Sequence, residues 1–324
     1  MNNLLYNKFI AFLKLIRVEN LLMIALTEIC LRYLVLNKAF SLANIELELP
    51  AKLYNLFILS TVFIAAAGYI INDYFDVKTD LINHPNTVVV DRVIKRRWAI
   101  ILHILFTFTG LVLGLYTALE IGYLRLAIFP IAAAILLWFY STHFKKQLLT
   151  GNIVVSLLTA AIALVPFVFE VGMINKMHPE YIYTHTRAFL SVFKILFVFS
   201  LFVFITSMAR EIIKDMEDYK GDKATGGATL PIVWGLRSSK LISFFLLVIT
   251  AILLSFVVYN TFKAGYNILN IHILYIVITL IVPLGFLSAY ILKAATSAQF
   301  KKASLTLKLI MLAGLCYSFI YFYS

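Results

Sequence analysis

Nine stretches of this 324-residue chain are apolar for about 20 residues at a time, the length a helix needs to cross a bilayer. They fall near 17–38, 54–72, 98–119, 124–142, 150–170, 189–210, 238–260, 268–292 and 304–323. In lipid every backbone N–H and C=O must be paired within its own segment, so runs of this kind fold as spanning helices. With 62% hydrophobic and only 14% charged residues, the rest of the chain offers little from which to build a water-soluble domain. The expectation is an all-α, polytopic membrane protein: a bundle of about nine transmembrane helices forming a single domain over residues 1–324.

The loops set the orientation. Most of the 28 lysines and arginines fall on one side, among them Lys8, Lys14, Arg17, the run from Arg92 to Arg97, Lys145, Lys146, Lys220, Lys223, Lys301 and Lys302. By the positive-inside rule that side is cytoplasmic. The chain is therefore expected in the cell (inner) membrane with its N-terminus inside and its C-terminus across the bilayer. The net charge of +12 follows from this asymmetry and calls for no nucleic acid partner.

Acidic residues are scarce, yet one acidic pattern occurs twice. IINDYFDVKTD places Asp73, Asp76 and Asp80 at offsets 0, 3 and 7, and EIIKDMEDYKGD places Asp215, Asp218 and Asp222 at the same offsets. On a helix these offsets share one face. Each trio follows an apolar run on the basic side, where a helix reaches water. Like charges crowded on one face repel unless a cation lies between them. Mg²⁺ suits that role, being held by a few carboxylates together with the phosphates of a substrate. Two such faces opposed across a cavity would bind a diphosphate.

Candidate partners for that diphosphate surround the acids. Arg210 and Lys214 share a helix face beside the second trio, and Lys145 follows the fourth apolar run. Asn72 adjoins the first acid, and Asn20 opens the first helix. Tyr140 and Ser141 end the fourth helix, where the Tyr140 ring can face a cation. The histidines are scattered without ligand spacing. Glu28 and Arg32, four apart within the first segment, are expected to neutralise each other. The adjacent glycines of Ala224–Ala228 suggest a mobile hinge. No haem, zinc, dinucleotide or nucleotide-hydrolysis motif is present in the sequence.

At these residues the chain resembles the UbiA superfamily of intramembrane prenyltransferases. The likeness is carried by Asn72-Asp73-x-x-Asp76-x-x-x-Asp80, by Asp215-x-x-Asp218-x-x-x-Asp222, by Tyr140-Ser141 ahead of Lys145, and by Asn20 close behind Arg17. Val18 departs from the family, which commonly has proline after that arginine. The resemblance implies a helical bundle around a central cavity, with both motifs binding magnesium that holds the diphosphate of a polyprenyl donor. The segment 72–97 looks most like the branch that includes digeranylgeranylglyceryl phosphate synthases, although Asn86–Asp91 replaces the branch's usual turn.

The implied reaction moves a polyprenyl group onto a lipophilic acceptor in the bilayer, best matched by geranylgeranylglyceryl phosphate. Asp73, Asp76, Asp215, Asp218 and Tyr140 are the expected catalytic residues; Asn20, Asn72, Ser141, Lys145, Arg210 and Lys214 are expected to bind substrate. For the acceptor's phosphate, Arg92, Lys95, Arg96, Arg97, Lys145 and Lys146 form the expected second basic patch. An aromatic acceptor of quinone or haem synthesis is the alternative within enzymes. A transporter is the alternative outside them, but it would place its charges near the bilayer midplane.

Overall fold

The computed structural model describes residues 2–323. Its N-terminal half contains α1 (Asn2–Leu15), α2 (Val18–Cys30), a π-helical segment (Leu31–Leu36), α3 (Asn37–Leu42), α4 (Ala51–Asn83), α5 (Arg96–Ile121), α6 (Ile128–Thr142) and α7 (Thr150–Met177). The C-terminal half contains α8 (Tyr181–Thr184), α9 (Thr186–Glu217), α10 (Tyr219–Ala224), α11 (Leu230–Val233), α12 (Gly235–Lys263), α13 (Ile271–Tyr275), a second π segment (Ile276–Ile281), α14 (Val282–Lys293) and α15 (Ser297–Tyr323).

Among the described residues, eight helical stretches are long and apolar enough to span a bilayer. The remaining expected span, near 17–38, is the continuous run of α2, the π segment and α3, whose hydropathy is lowered by Glu28 and Arg32. The chain is thus an integral, multi-pass membrane protein. Its outward faces carry large apolar groups, such as Ile104 and Phe108 on α5 and Phe245 and Phe256 on α12, because the solvent there is hydrocarbon.

Two packed masses flank the centre. In one, α9, α12, α14 and α15 enclose Leu247, Leu284, Ile291 and Leu307. In the other, α4 and α5 pack along their lengths, backed by α6 and α7. A cavity of about 1150 Å³ lies between them and is walled by α2, α4, α6, α7, α9 and α15. Two segments crowd its mouth. The α1 helix contributes Lys14, and the α4–α5 loop contributes Val88, Val89 and Val90. That loop is the stretch where the chain departs from its expected branch; its buried valines pack with α1.

At the far end the bundle is closed by charge. Arg32, 2% exposed, gives Nε to Glu170 at 3.1 Å, and its remaining nitrogens to the Tyr33 hydroxyl and the Leu49 carbonyl. Glu170 also accepts from the Glu48 and Leu49 amides at 2.5 and 2.8 Å. The expected Glu28–Arg32 pair is therefore not made. Arg32 finds a partner on α7 that also satisfies loose backbone amides, which an acid on its own helix could not do, and Glu28 is left facing the cavity.

Removing one member of a buried pair strands the other. Glu170→Ala should cost about 3–5 kcal/mol, read as a lowered melting temperature of the purified protein in detergent, and Glu170→Gln should cost less. A melting temperature unchanged in Glu170→Ala would show that the cluster does not hold this end closed.

Candidate active site

All six motif aspartates line the cavity. The first trio lies within the last turns of α4, on one face as its spacing requires. Asp73 meets Arg17 at 2.8 Å. Arg17 sits at the break between α1 and α2 with φ of 50°, a left-handed conformation unusual for a side-chain-bearing residue, and its guanidinium also lies 5.0 Å from the centre of the Tyr69 ring. Asp76 is bonded to Lys145 on the short turn between α6 and α7. Burial opposes charge on Lys145, but its surroundings, Asp76 foremost with Tyr140 and Asp80 behind it, together hold the ammonium well above the usual lysine range. Asn72 is buried at the cavity wall, and its Oδ1 has no hydrogen-bond partner.

The second trio departs from the expected single helical face. Asp215 is on α9, Asp218 is the non-helical joint after it, and Asp222 is on α10. The break is stabilised from the first motif's own helix. Asn83, the last residue of α4, donates to the Asp218 carbonyl at 3.0 Å and accepts from the Gly221 amide at 2.8 Å, pairing backbone groups that the break exposes. Only glycine fits at 221: a Cβ there would stand 2.5 Å from the Asn83 side chain. Thr79 and Thr225 close the same joint at 3.1 Å.

Each acid of this trio has a distinct setting. Asp215 accepts from Asn152 at 2.8 Å. Asp218 meets His84 at 2.8 Å, and the Glu217 carboxylate lies 4.0 Å from the same ring nitrogen. Burial works against ionisation of Asp218, but the His84 contact prevails and holds its carboxyl below the usual range. His84 is raised in turn, chiefly by that hydrogen bond. Burial pushes Asp222 up to about 6 against the pull of Lys145. Lys145 therefore acts on both motifs, which places them opposite each other.

Other expected residues divide. Tyr140 lines the cavity, near enough to Lys145 and Arg17 to interact with both. Arg210 and Lys214 also line it, but both reach Glu211, each at 3.3 Å, so their charge is partly committed. Asn20 lines the mouth and accepts from Lys308 at 2.9 Å. Ser141 is buried away from the cavity lining, its hydroxyl given to the Leu137 carbonyl at 3.0 Å, a role that helical hydroxyls commonly take.

The proposed patch at 92–97 does not reach the cavity. Arg92 bonds the Pro85 carbonyl, and Arg96 lies over Tyr74 at 4.7 Å. The cations at the mouth are instead Lys14, Arg17, Lys145, Arg210, Lys214 and Lys308. The expected hinge is also tied down: Gly227 donates to the Asp222 carbonyl and Ala228 to the Lys146 carbonyl, both at 2.8 Å.

Sequence reading passed over Arg17 as a binding group, and also Asn152, His84, Lys308 and Glu211. Arg17 was legible as the charge ending the N-terminal helix. His84 and Lys308 carry no local signal, since their partners lie 134 and 288 residues away.

Chemically the site is a ring of hard oxygen donors, the unpartnered Asn72 oxygen included, set among fixed cations over an apolar shaft. The one tight group of His and acidic ligand atoms found among the described residues, all within 4.8 Å, is His84, Glu217 and Asp218 at the rim. The two motifs themselves leave space between them. Such an arrangement suits ions shared with a bound phosphate better than ions caged by protein alone.

Comparison with known proteins agrees. The model of the UbiA prenyltransferase family matches residues 39–312. The digeranylgeranylglyceryl phosphate synthase of Methanosphaera stadtmanae is 31% identical over 263 residues, 81% of this chain and 84% of the relative. That of Sulfurisphaera tokodaii is 34% identical over 72% of this chain and 74% of its own. A solved structure of a digeranylgeranylglyceryl phosphate synthase is similar with a TM-score of 0.63 and 27% identity, covering 97% of this chain and 98% of the other. A UbiA homologue from Archaeoglobus fulgidus, bound to GPP and Mg²⁺, shares the fold at a TM-score of 0.57 and 18% identity, over 97% and 100% of the two chains. With a matching model across most of its length and both aspartate motifs at one cavity, this chain belongs to the UbiA prenyltransferase family.

Proposed function

We propose that this prenyltransferase moves a geranylgeranyl group from geranylgeranyl diphosphate to the free glycerol hydroxyl of geranylgeranylglyceryl phosphate, with magnesium as cofactor. The observation that carries the reading is the opposition of Asp73, Asp76 and Asp80 to Asp215, Asp218 and Asp222 across the mouth of an apolar cavity. Relatives that are 31% and 34% identical bear the name of that activity. Membership of a prenyltransferase family sets the transporter alternative aside.

The six aspartates and Asn72 supply oxygen ligands, so magnesium fits them, and when bound it neutralises the leaving diphosphate. Arg17 and Lys145, already placed against Asp73 and Asp76, bind the same phosphates, and Arg210 and Lys214 extend the positive wall on α9. The donor's C1–O bond breaks and its electron pair leaves with the diphosphate. Tyr140 faces the carbon left electron-poor, a cation–π attraction of roughly 2 kcal/mol when desolvated. The bundle keeps water from that carbon until the acceptor's hydroxyl oxygen forms the new C–O bond, its proton passing to the departed diphosphate.

The acceptor's phosphate needs cations not already engaged by aspartate. Lys14 and Lys308 line the mouth and make no ion pair with the motifs, Lys308 reaching only Asn20 and the rim residue Glu19 at 3.8 Å. The acidic end is taken as cytoplasmic because the basic loops gather there.

Asp76→Ala and Asp218→Ala should each lower turnover about 100-fold or more, and EDTA should abolish it. Near-normal turnover in either variant would exclude the clamp. A transfer assay with labelled geranylgeranyl diphosphate and a panel of acceptors tests the rest. Geranylgeranylglyceryl phosphate should be preferred, and Lys308→Glu should raise its KM more than the donor's. Efficient prenylation of a hydroxybenzoate, with none of the glyceryl phosphate, would overturn the choice of acceptor.

A further inference from the structure

The cavity ends on a polar group that neither the clamp nor the bundle's charged plug uses. Glu28 is 1% exposed, is the deepest residue of α2 to line the cavity, and neither of its carboxyl oxygens has a hydrogen-bond partner. The polar group that acts on it is the Thr61 hydroxyl, which is itself given to the Phe57 carbonyl at 3.3 Å. Around it the cavity is closed by Phe57, Phe129 and Val165. Below that level the Phe169 ring packs against Phe57 at 4.3 Å, tilted by 36°, and Tyr54 and Arg32 fill the space beneath. A carboxyl in the hydrocarbon region with no neighbour but that hydroxyl is strongly unfavourable, which singles it out among the groups of the cavity wall.

We propose that Glu28, with Thr61 beside it, is the floor that fixes the length of prenyl tail the enzyme accepts. The proposal rests on the reading of the cavity as the donor's site. Thr61 stands twelve residues below Asp73 on α4, about 18 Å along the axis, and Glu28 stands eleven residues below Arg17, the partner of Asp73, about 16 Å. A diphosphate held at the aspartates therefore sends its tail down a shaft about as long as four extended isoprene units. The walls on the way are hydrocarbon: Ile24, Ile64, Leu137 and Ile162. At Glu28 this changes, because its carboxyl, already shut off from solvent, closes the shaft as a polar side chain with which a methyl end cannot pair. A tail of four units fills the shaft down to that floor. A fifth unit must either displace the carboxyl or bend back on itself.

The test compares geranylgeranyl diphosphate with the donor one isoprene longer, in the presence of magnesium and acceptor, for the wild-type protein, Glu28→Ala and Glu28→Gln. Glu28→Ala removes both the bulk and the polarity of the floor and should raise the ratio of kcat/KM for the longer donor over the C20 donor by about tenfold or more, the scale of discrimination a few methylenes supply in an apolar pocket. Glu28→Gln keeps bulk and polarity and should leave that ratio at the wild-type value. Thr61→Ala opens the same corner and should move the ratio in the same direction, which keeps the test decisive if Glu28→Ala fails to fold. An unchanged ratio in folded Glu28→Ala that still uses the C20 donor overturns the inference. So does an equal loss with every donor in both Glu28 variants, which would place the carboxyl in the chemistry. If the wild type transfers from no polyprenyl diphosphate, the functional reading fails and this inference with it.

Discussion

Facing acids within an apolar bundle is the constraint from which the rest of this architecture follows. Six carboxylates at one end of a cavity repel strongly where the dielectric is low, and they can be held there only by cations or by hydrogen-bond donors aimed at them. The chain supplies both. Arg17, Lys145 and His84 meet Asp73, Asp76 and Asp218, and Asn152 donates to Asp215. These partners come from four different segments, so the acids draw the α1–α2 break, the α6–α7 turn, the end of α4 and the start of α7 to one place. Asn83 completes the arrangement by tying the end of one motif's helix to the break in the other.

The membrane-spanning architecture was legible because apolar length is a strong signal, and the repeated offsets of the aspartates picked out residues that the fold brings to one cavity. What the spacing could not reveal is that the second motif bends. Residues 215, 218 and 222 would share a face only on a continuous helix, and whether the helix continues past Glu217 depends on Asn83, which lies 138 residues before Gly221. Charges read by proximity in sequence fared worst. The run Arg92 to Arg97 is next to the first motif along the chain but turns outward onto Pro85 and Tyr74, whereas Lys308, on the last helix, reaches Asn20 on α2.

Glu28 and Arg32 make the same point inside the bundle. Four-residue spacing permits a pair, but in hydrocarbon an arginine needs every donor satisfied, and Glu170 with the Leu49 carbonyl and Tyr33 hydroxyl does that more completely than one acid on its own helix. The cluster seals one end of the cavity while leaving a carboxyl in its floor. The two ends of the shaft are therefore polar for different reasons, one carrying the aspartates with their cations and the other the Arg32–Glu170 cluster with Glu28 above it.

The central claim is that the two aspartate motifs act as one clamp. It is tested most directly by measuring magnesium-dependent binding of an unreactive thiolodiphosphate analogue of the donor to the wild type, Asp76→Ala, Asp218→Ala and the double variant. A shared clamp predicts that either single change removes most of the affinity and that the double variant binds little worse than the singles, since the remaining half has nothing to close against. Losses that simply multiply in the double variant would show two independent sites and contradict the account.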